Sequence, residues 1–457
     1  MEKQNVSSSL EDNVNFLSVA LPLKESFDII QRDMVIGGKS SAFYFIDGFT
    51  KDEPMLKIMD SFFGVKEKDM PKNAIEFTES CLPYVEVDIL ADMDSVIKNL
   101  LSGVTCLFID GFEECIAIDC RTYPARGVEE PGMDKALRGS RDGFVETIVF
   151  NTALIRRRIR DRHLTMEMHE MGSSSRTDIA VCYMSDRVDE KVLEVIKKRL
   201  SEVRDEDIKM SQQSLAEALY RRKWFNPFPK YKFTERPDTA AVCLMEGKVV
   251  LLVDNSPTAL ILPTSIFDMI EEANDYYFPP ITAYYLKTTR IIIAFLTVFM
   301  VPLFLLMLQN PDMVPSDLKF ILIDDEIHIS PICQILILEL ALDGLRLAAL
   351  NTPSMLSTPL SVIAGIVMGE FSVKSGWFNA EIMLYLAFVS VANYSQPNYE
   401  LGYALKFMRL ILLVLTAAFN KIGFITGCLF VLYCIVVNKT LSGRSYMDVR
   451  LHKKSCS

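Results

Sequence analysis

Apolar and polar residues alternate in short runs as far as about position 285, and from position 290 the alternation gives way to long apolar stretches. In FDIIQRDMVIGGKSSAFYFIDGF, two apolar runs flank Gly37-Gly38, the pattern of a β-hairpin. A helix is expected around 54–63, a strand in YVEVDI, a helix over 92–101 and a strand in VTCLFIDGF. The phrase FIDGF occurs at 45–49 and again at 108–112, which reads either as two similar strand-and-turn units or as chance recurrence. CIAIDCRTYP closes a first α/β unit. TDIAVCYM then reads as a strand and EKVLEVIKKRLSEV as an amphipathic helix. AAVCLMEGKVVLLVD reads as a hairpin turning at Glu246-Gly247, TALILP as a strand, and FDMIEEANDYYF as a helix leading to Pro279-Pro280.

The back third obeys a different solvent. IIIAFLTVFMVPLFLLML, 291–308, carries no charge and is long enough to cross a bilayer core, with Pro302 as an expected kink. The stretch 331–350 is apolar but holds Glu339, Asp343 and Arg346 on one helical face, where they can compensate one another. An interfacial or re-entrant helix is favoured there over a full span. In 353–376, Ser357, Ser361, Gly365, Gly369 and Ser372 recur at spacings of three or four, so a helix gathers them into one small-residue stripe. Such a stripe lets backbones approach closely in lipid or lines a narrow path through an oligomer. Three apolar stretches follow, at about 380–394, 403–419 and 422–437, with Lys406 and Arg409 expected to snorkel. Whether five or six helices cross stays open, because the basic tail and the charged 331–350 helix argue in opposite directions.

The expected fold class is an α/β soluble N-terminal region of two subdomains, followed by an all-α multi-pass transmembrane domain. Its parts are a flexible N-terminus at 1–25, subdomain 1 at 26–130, a connecting helix segment at 131–160, and subdomain 2 at 161–285. The transmembrane domain, with five or six apolar helices, covers 286–440, and a basic tail covers 441–457.

Charge sharpens this picture. Residues 290–457 hold 12 Lys+Arg and 11 Asp+Glu, leaving 36 and 48 of the chain's totals of 48 and 59 for the front part. An acidic front argues against nucleic acid as a partner, since nucleic-acid binding needs a basic footprint. Lys287 and Arg290 guard the near end of the first apolar helix, whereas Asp312, Asp317, Asp324, Asp325 and Glu326 dominate the far side. The positive-inside tendency therefore places the front domain in the cytoplasm, and no cleaved signal peptide is read at the N-terminus.

Catalytic chemistry is sought without result. The 10 cysteines form no CxxC pair and read as reduced core filler. The 4 histidines, at 163, 169, 328 and 452, are scattered and supply no ligand set for a metal. Nucleophile-elbow, dinucleotide and Walker patterns are missing, so neither enzymatic activity nor a cofactor is expected. The specific chemistry lies in RGSRDGF and in the helix ending IRRRIR. Arg138, Arg141 and Asp142 surround glycines in a tight turn, and Arg156, Arg157 and Arg158 crowd the helix end. Guanidinium forks grip carboxylates and carbonyls, so this cluster reads as a latch between subdomains or subunits; phosphate binding and a merely solvated basic face are the rival readings.

RGSRDGF and NTALIRRRIR resemble the hallmark of the spore germination receptor A-subunit (GerA) family, and the resemblance continues in SRTDIAVCYM, in TERPDTAAVCLMEGKVVLLVDNSPTALILPTS and through the membrane block. TYPARGVEEP, WFNPFP, NTPSMLSTPLS and QPNYELGYA are similar to its stage V sporulation protein AF branch. The resemblance implies a homo-oligomeric ring, a pentamer among its forms, that passes monovalent cations through the spore inner membrane during germination. It implies an accessory or amplifying channel, with Ser361, Val362, Gly365 and Gly369 lining or bracing the constriction. Membrane lipid, a small multi-pass partner and germinant receptor subunits are the other implied contacts. A nutrient-sensing receptor A subunit and a non-conducting membrane scaffold are the alternatives.

Overall fold

The computed structural model describes residues 4–50, 52–84, 86–120, 137, 139–171, 177–202, 211–219, 226–351, 365–441, 443 and 445–447. It divides into two compact units, an α/β unit made of 1–221 and 231–264 and a helical unit made of 222–230 and 265–452.

The α/β unit is built on one pattern used twice. Its first half runs α1 (Leu10–Ala20), β1 (Ile29–Ile36), β2 (Lys39–Ile46), α2 (Asp52–Gly64), α3 (Ala74–Cys81), β3 (Val87–Leu90), α4 (Met93–Leu101), β4 (Thr105–Ile109) and β5 (Cys115–Ile118). The second half repeats the order with α5 (Ile148–Arg158), β6 (Leu164–Met171), β7 (Thr177–Met184), α6 (Glu190–Glu202), α7 (Ser211–Leu219), β8 (Lys232–Thr234), α8 (Pro237–Met245), β9 (Val249–Val253) and β10 (Ala259–Leu262). The sheets correspond strand for strand, β1-β2-β4-β5-β3 and β6-β7-β9-β10-β8, and every pairing is antiparallel. The segment 131–160, read from sequence as a connector, thus ends in α5, which opens the second repeat as α1 opens the first.

Strand alternation explains the packing. In β2, Ala42, Tyr44 and Ile46 point to a core shared with α1 and α4, whereas Phe43 points to the opposite core with Ile58 and Phe62 of α2 and Phe77 of α3. The hairpin at Gly37-Gly38 forms, both glycines having positive φ. The two FIDGF phrases close β2 and β4 with the same device, Gly48 at φ 76° and Gly111 at φ 87°.

Local expectations are overturned at three places. The stretch 1–25, read as flexible, holds α1 with Leu17 and Leu21 buried. FDMIEEANDYYF, read as one helix, is a five-residue helix at Ile266–Ile270 and a 3-10 turn at Ala273–Tyr276. The first arm of the expected hairpin at Glu246-Gly247 is helical. AAVCLM is helix α8, not the first arm of a hairpin. Pro237 occupies the first helical turn, where its missing N–H costs nothing, the alanines favour helix, and Gly247 at φ 88° ends it beside the carbonyl of Arg187. Strand β9 starts only after that turn.

The helical unit contains α9 (Ile266–Ile270), α10 (Pro280–Gln309), α11 (Pro331–Asn351), a seven-residue π-helix at Gly365–Phe371 followed by one α-turn at Ser372–Lys374, α12 (Ala380–Tyr394) and α13 (Tyr399–Val437). Among the described residues, α10 and α13 are long and apolar enough to cross a membrane, and α12 is a shorter apolar helix. Only 33% of the apolar window of α10 and 22% of that of α13 is buried, so most of their apolar surface has no protein over it. Pro302 lies inside α10 as expected. Helix α13 is two arms, 399–419 and 421–437, bent at Asn420, whose φ of 54° and ψ of −129° are not helical. The arms fold back on each other: a Cβ on Gly423 would overlap the Leu415 carbonyl oxygen, and one on Gly427 would overlap Leu412 Cδ1.

Candidate functional site: charges held inside apolar helices

One buried cluster of charge in the helical unit lies where α11 meets the first arm of α13. Glu339 and Arg409 are 4% and 3% exposed, and Arg409 donates to Glu339 Oε1 from Nε at 2.9 Å and from Nη2 at 2.7 Å. A third guanidinium nitrogen, Nη1, donates to the Thr297 carbonyl of α10 at 3.0 Å, so this arginine ties three helices. Lys406 lies one turn away, with Nζ 3.2 Å from Glu339 Oε2 and in close contact with Asp343 Oδ1. Two anions against two cations leave the cluster formally neutral. That is the condition under which ionised groups persist away from water.

Sequence spacing placed Glu339, Asp343 and Arg346 on one face, able to compensate one another. In the structure, Glu339 and Asp343 are compensated by α13. Lys406 and Arg409, read as snorkelling, are turned inward on these carboxylates. Arg346 stands apart from the ion pairs, its guanidinium stacked over the rings of Tyr394, Tyr399 and Tyr403. The partners were hidden because they lie 63 and 70 positions further along the chain.

Of the small-residue stripe, Ser361 and Val362 lie outside the described residues, as does Ser357. Gly365 and Gly369 lie on the π-helix, where an added Cβ would meet nothing within 4 Å. Wide π-turns recur at functional positions in helices. Among the described residues, none covers the face these two glycines form.

The arginine cluster of the α/β unit resolves into separate contacts. Arg156, fully buried, donates from Nε to Asp28 Oδ2 at 2.8 Å and from Nη2 to Asp28 Oδ1 at 3.2 Å; it also reaches the carbonyls of Asp161 and Leu164. Asp28 precedes β1, and its neighbours dock on the second repeat: Phe27 N–H donates to the Met166 carbonyl at 3.0 Å, and Met166 N–H to Ser26 Oγ at 3.0 Å. Arg156 is thus the bolt between the two halves of the α/β unit. Arg158 binds Asp142 through Nη2 at 2.6 Å and Ser140 Oγ at 2.9 Å, clamping the RGSRDGF turn onto its own helix. Arg141 and Arg157 are exposed, and Arg138 lies outside the described residues. A further buried arginine, Arg236, donates to the Ser140 carbonyl at 2.8 Å and to Asp238 at 2.6 Å. Its position in TERPDTAAV, inside a segment that carried the resemblance, was the available signal.

On the second sheet, Glu167 of β6 accepts from Lys197 Nζ at 2.6 Å and Tyr183 Oη at 2.6 Å, with His169 Nε2 at 3.3 Å. Burial pushes its carboxyl up, but these three bonds outweigh burial and hold it at about 2. Among the described residues no group of His, Cys, Asp and Glu is arranged to hold a metal ion.

Comparison with known proteins agrees along nearly the full length. The family model described as Bacillus/Clostridium GerA spore germination protein matches residues 19–454. The chain is 32% identical over 427 residues to stage V sporulation protein AF of Bacillus subtilis, covering 93% of this chain and 86% of that relative. It is 25% identical to spore germination protein A1 of the same organism, over 98% of this chain and 92% of the relative. The crystal structure of the N-terminal domain of the A subunit of the Bacillus megaterium spore germinant receptor GerK3 aligns with a TM-score of 0.44 at 23% identity, over 57% of this chain and 97% of that one.

Proposed function

Because the chain belongs to the Bacillus/Clostridium GerA spore germination protein family, we propose that it acts in the spore inner membrane as one copy of a homo-oligomeric ring that passes monovalent cations during germination. The observation that carries this reading is the uncovered glycine face. Among the described residues, Gly365 and Gly369 meet nothing within 4 Å of an added Cβ, as a ridge facing a shared axis would. The compensated charges of α11 and α13 support it, since ionised residues among membrane helices mark ion pathways and face the bundle interior.

In this reading the α/β unit stands on the cytoplasmic side, and its two halves, bolted by Arg156, act as one rigid gating body. The 361–369 stretch forms the constriction, with Val362 as the dewetting plug. The protein performs no catalysis and works beside other spore-membrane proteins as an accessory channel. Purified protein in liposomes tests this directly. Potassium or sodium flux is expected, and Val362→Ala raises it; no flux at any lipid composition removes the channel reading. Similarity to spore germination protein A1 favours a germinant receptor A subunit as the second reading, which a ligand-dependent rise in melting temperature would support.

A further inference from the structure

The charged residues of α11 meet α13 in antiparallel order. Glu339 pairs with Arg409, Asp343 with Lys406, and Arg346 with Tyr403, so each step forward along α11 is matched by a step back along α13. The first two rungs are ion pairs with buried cations. The third differs in kind: the Arg346 guanidinium carbon lies 4.5, 5.3 and 5.1 Å from the ring centroids of Tyr394, Tyr399 and Tyr403. Three π-faces around one cation are the arrangement by which proteins capture guanidinium and quaternary ammonium ions. The rings come from the last residue of α12 and the first turns of α13, on either side of the turn at 395–398, so a cation seated there joins three helices. Tyr394 and Tyr399 remain 62% and 45% exposed, which leaves the cage open on its outer side.

We infer that this tyrosine cage is a cation-binding site whose resting occupant is Arg346, and that its occupancy sets the position of the C-terminal half of α11. Arg346 is a positioning residue: it touches no conducted ion in this scheme, and α11, which carries it, ends at Asn351, ahead of the 353–376 stretch in the chain. The effect on conduction rests on the channel reading given above; the binding site does not. An external guanidinium or tetramethylammonium ion competes for the same rings, and an emptied cage accepts it.

The test uses the full chain with Arg346→Ala, probed with millimolar guanidinium chloride against equal sodium chloride. Amide hydrogen exchange over 340–351 is expected to quicken about fivefold to tenfold in the variant, the range a partly desolvated cation–π contact supports, and guanidinium is expected to slow it again. Arg346→Lys, which keeps the cation, exchanges nearly as the parent does. Adding Tyr403→Leu to Arg346→Ala abolishes the rescue. Unchanged exchange in Arg346→Ala, or a variant blind to guanidinium in both exchange and tyrosine fluorescence, overturns the site. Should Arg346→Ala fail to fold, Tyr394→Leu in the parent chain replaces it, with the same quickening expected and unchanged exchange again overturning the site. In liposomes, resting flux rises in Arg346→Ala and falls when guanidinium is added; identical flux in a conducting parent overturns the positioning role. A parent that passes no ion sinks the channel reading instead, and exchange and fluorescence still decide the cage.

Discussion

Arg156 and Asp28 are 128 residues apart and meet as a fully buried ion pair, Nε to Oδ2 at 2.8 Å, at the seam between two copies of one αββααβαββ pattern. The helix that opens the second copy thereby grips the segment that leads into the first sheet. The carbonyls of Asp161 and Leu164 also accept from this guanidinium, so groups of both repeats meet on one side chain.

Removing one partner of that pair leaves a buried charge uncompensated. Arg156→Ala is expected to destabilise the protein by about 3–5 kcal/mol, and Asp28→Asn by a smaller amount in the same direction. Urea unfolding of the full chain, followed by tryptophan fluorescence and circular dichroism, measures both. A loss under 1 kcal/mol for Arg156→Ala would show that the halves are held by other contacts.

The ion pairs between α11 and α13 follow the same rule with a sharper control. Arg409→Leu alone strands Glu339 and should lower the melting temperature in detergent by several degrees, whereas Arg409→Leu combined with Glu339→Leu should recover most of the loss. Equal melting temperatures for the single and double variants would deny the coupling.

Two kinds of glycine separate packing from function. Gly423→Ala places a methyl group inside contact distance of the Leu415 carbonyl and should open the α13 hairpin, at a cost of about 2 kcal/mol or more. Gly369→Ala meets none of the described residues, so its stability should stay within about 0.5 kcal/mol of the parent, while ion flux through liposomes changes. Thermal melts and flux on the same preparations distinguish the two.

Glu167 gives a pH dependence of known sign. Its folded carboxyl is held at about 2, below the unfolded value near 4.3, so its contribution is complete above about pH 5 and is lost as pH falls toward 2. The half-buried setting discounts that contribution to the order of 2 kcal/mol. The stability gap between the parent and Glu167→Gln should therefore narrow across that window and stay constant from pH 6 to 8. A gap that does not narrow on acidification would remove the three hydrogen bonds as its cause.

How much was legible follows from the range of each signal. The hairpin at Gly37-Gly38, strands such as TDIAVCYM and the apolar helix with Pro302 are written in consecutive residues, because side-chain period and turn chemistry act over a few positions. AAVCLM failed for the same reason: its apolar run fits either state, and Pro237 decided for helix. Asp28, Arg236, Lys406 and the tyrosines of the cage stayed invisible as partners, because nothing local marks which distant group a charge will meet.

By itself the chain determined that a folded, acidic α/β part precedes a part of long apolar helices, and that its motifs are those of a germination family. Those properties are sums over hydrophobicity, charge and short patterns, which need no knowledge of what lies across a core. Only the tertiary structure decided that the α/β part is one pattern repeated, that α13 doubles back at Asn420, and that Arg346 faces rings while Glu339 and Asp343 face Lys406 and Arg409. A buried charge takes the nearest opposite charge or π-face in space, and nearness in space is set by packing.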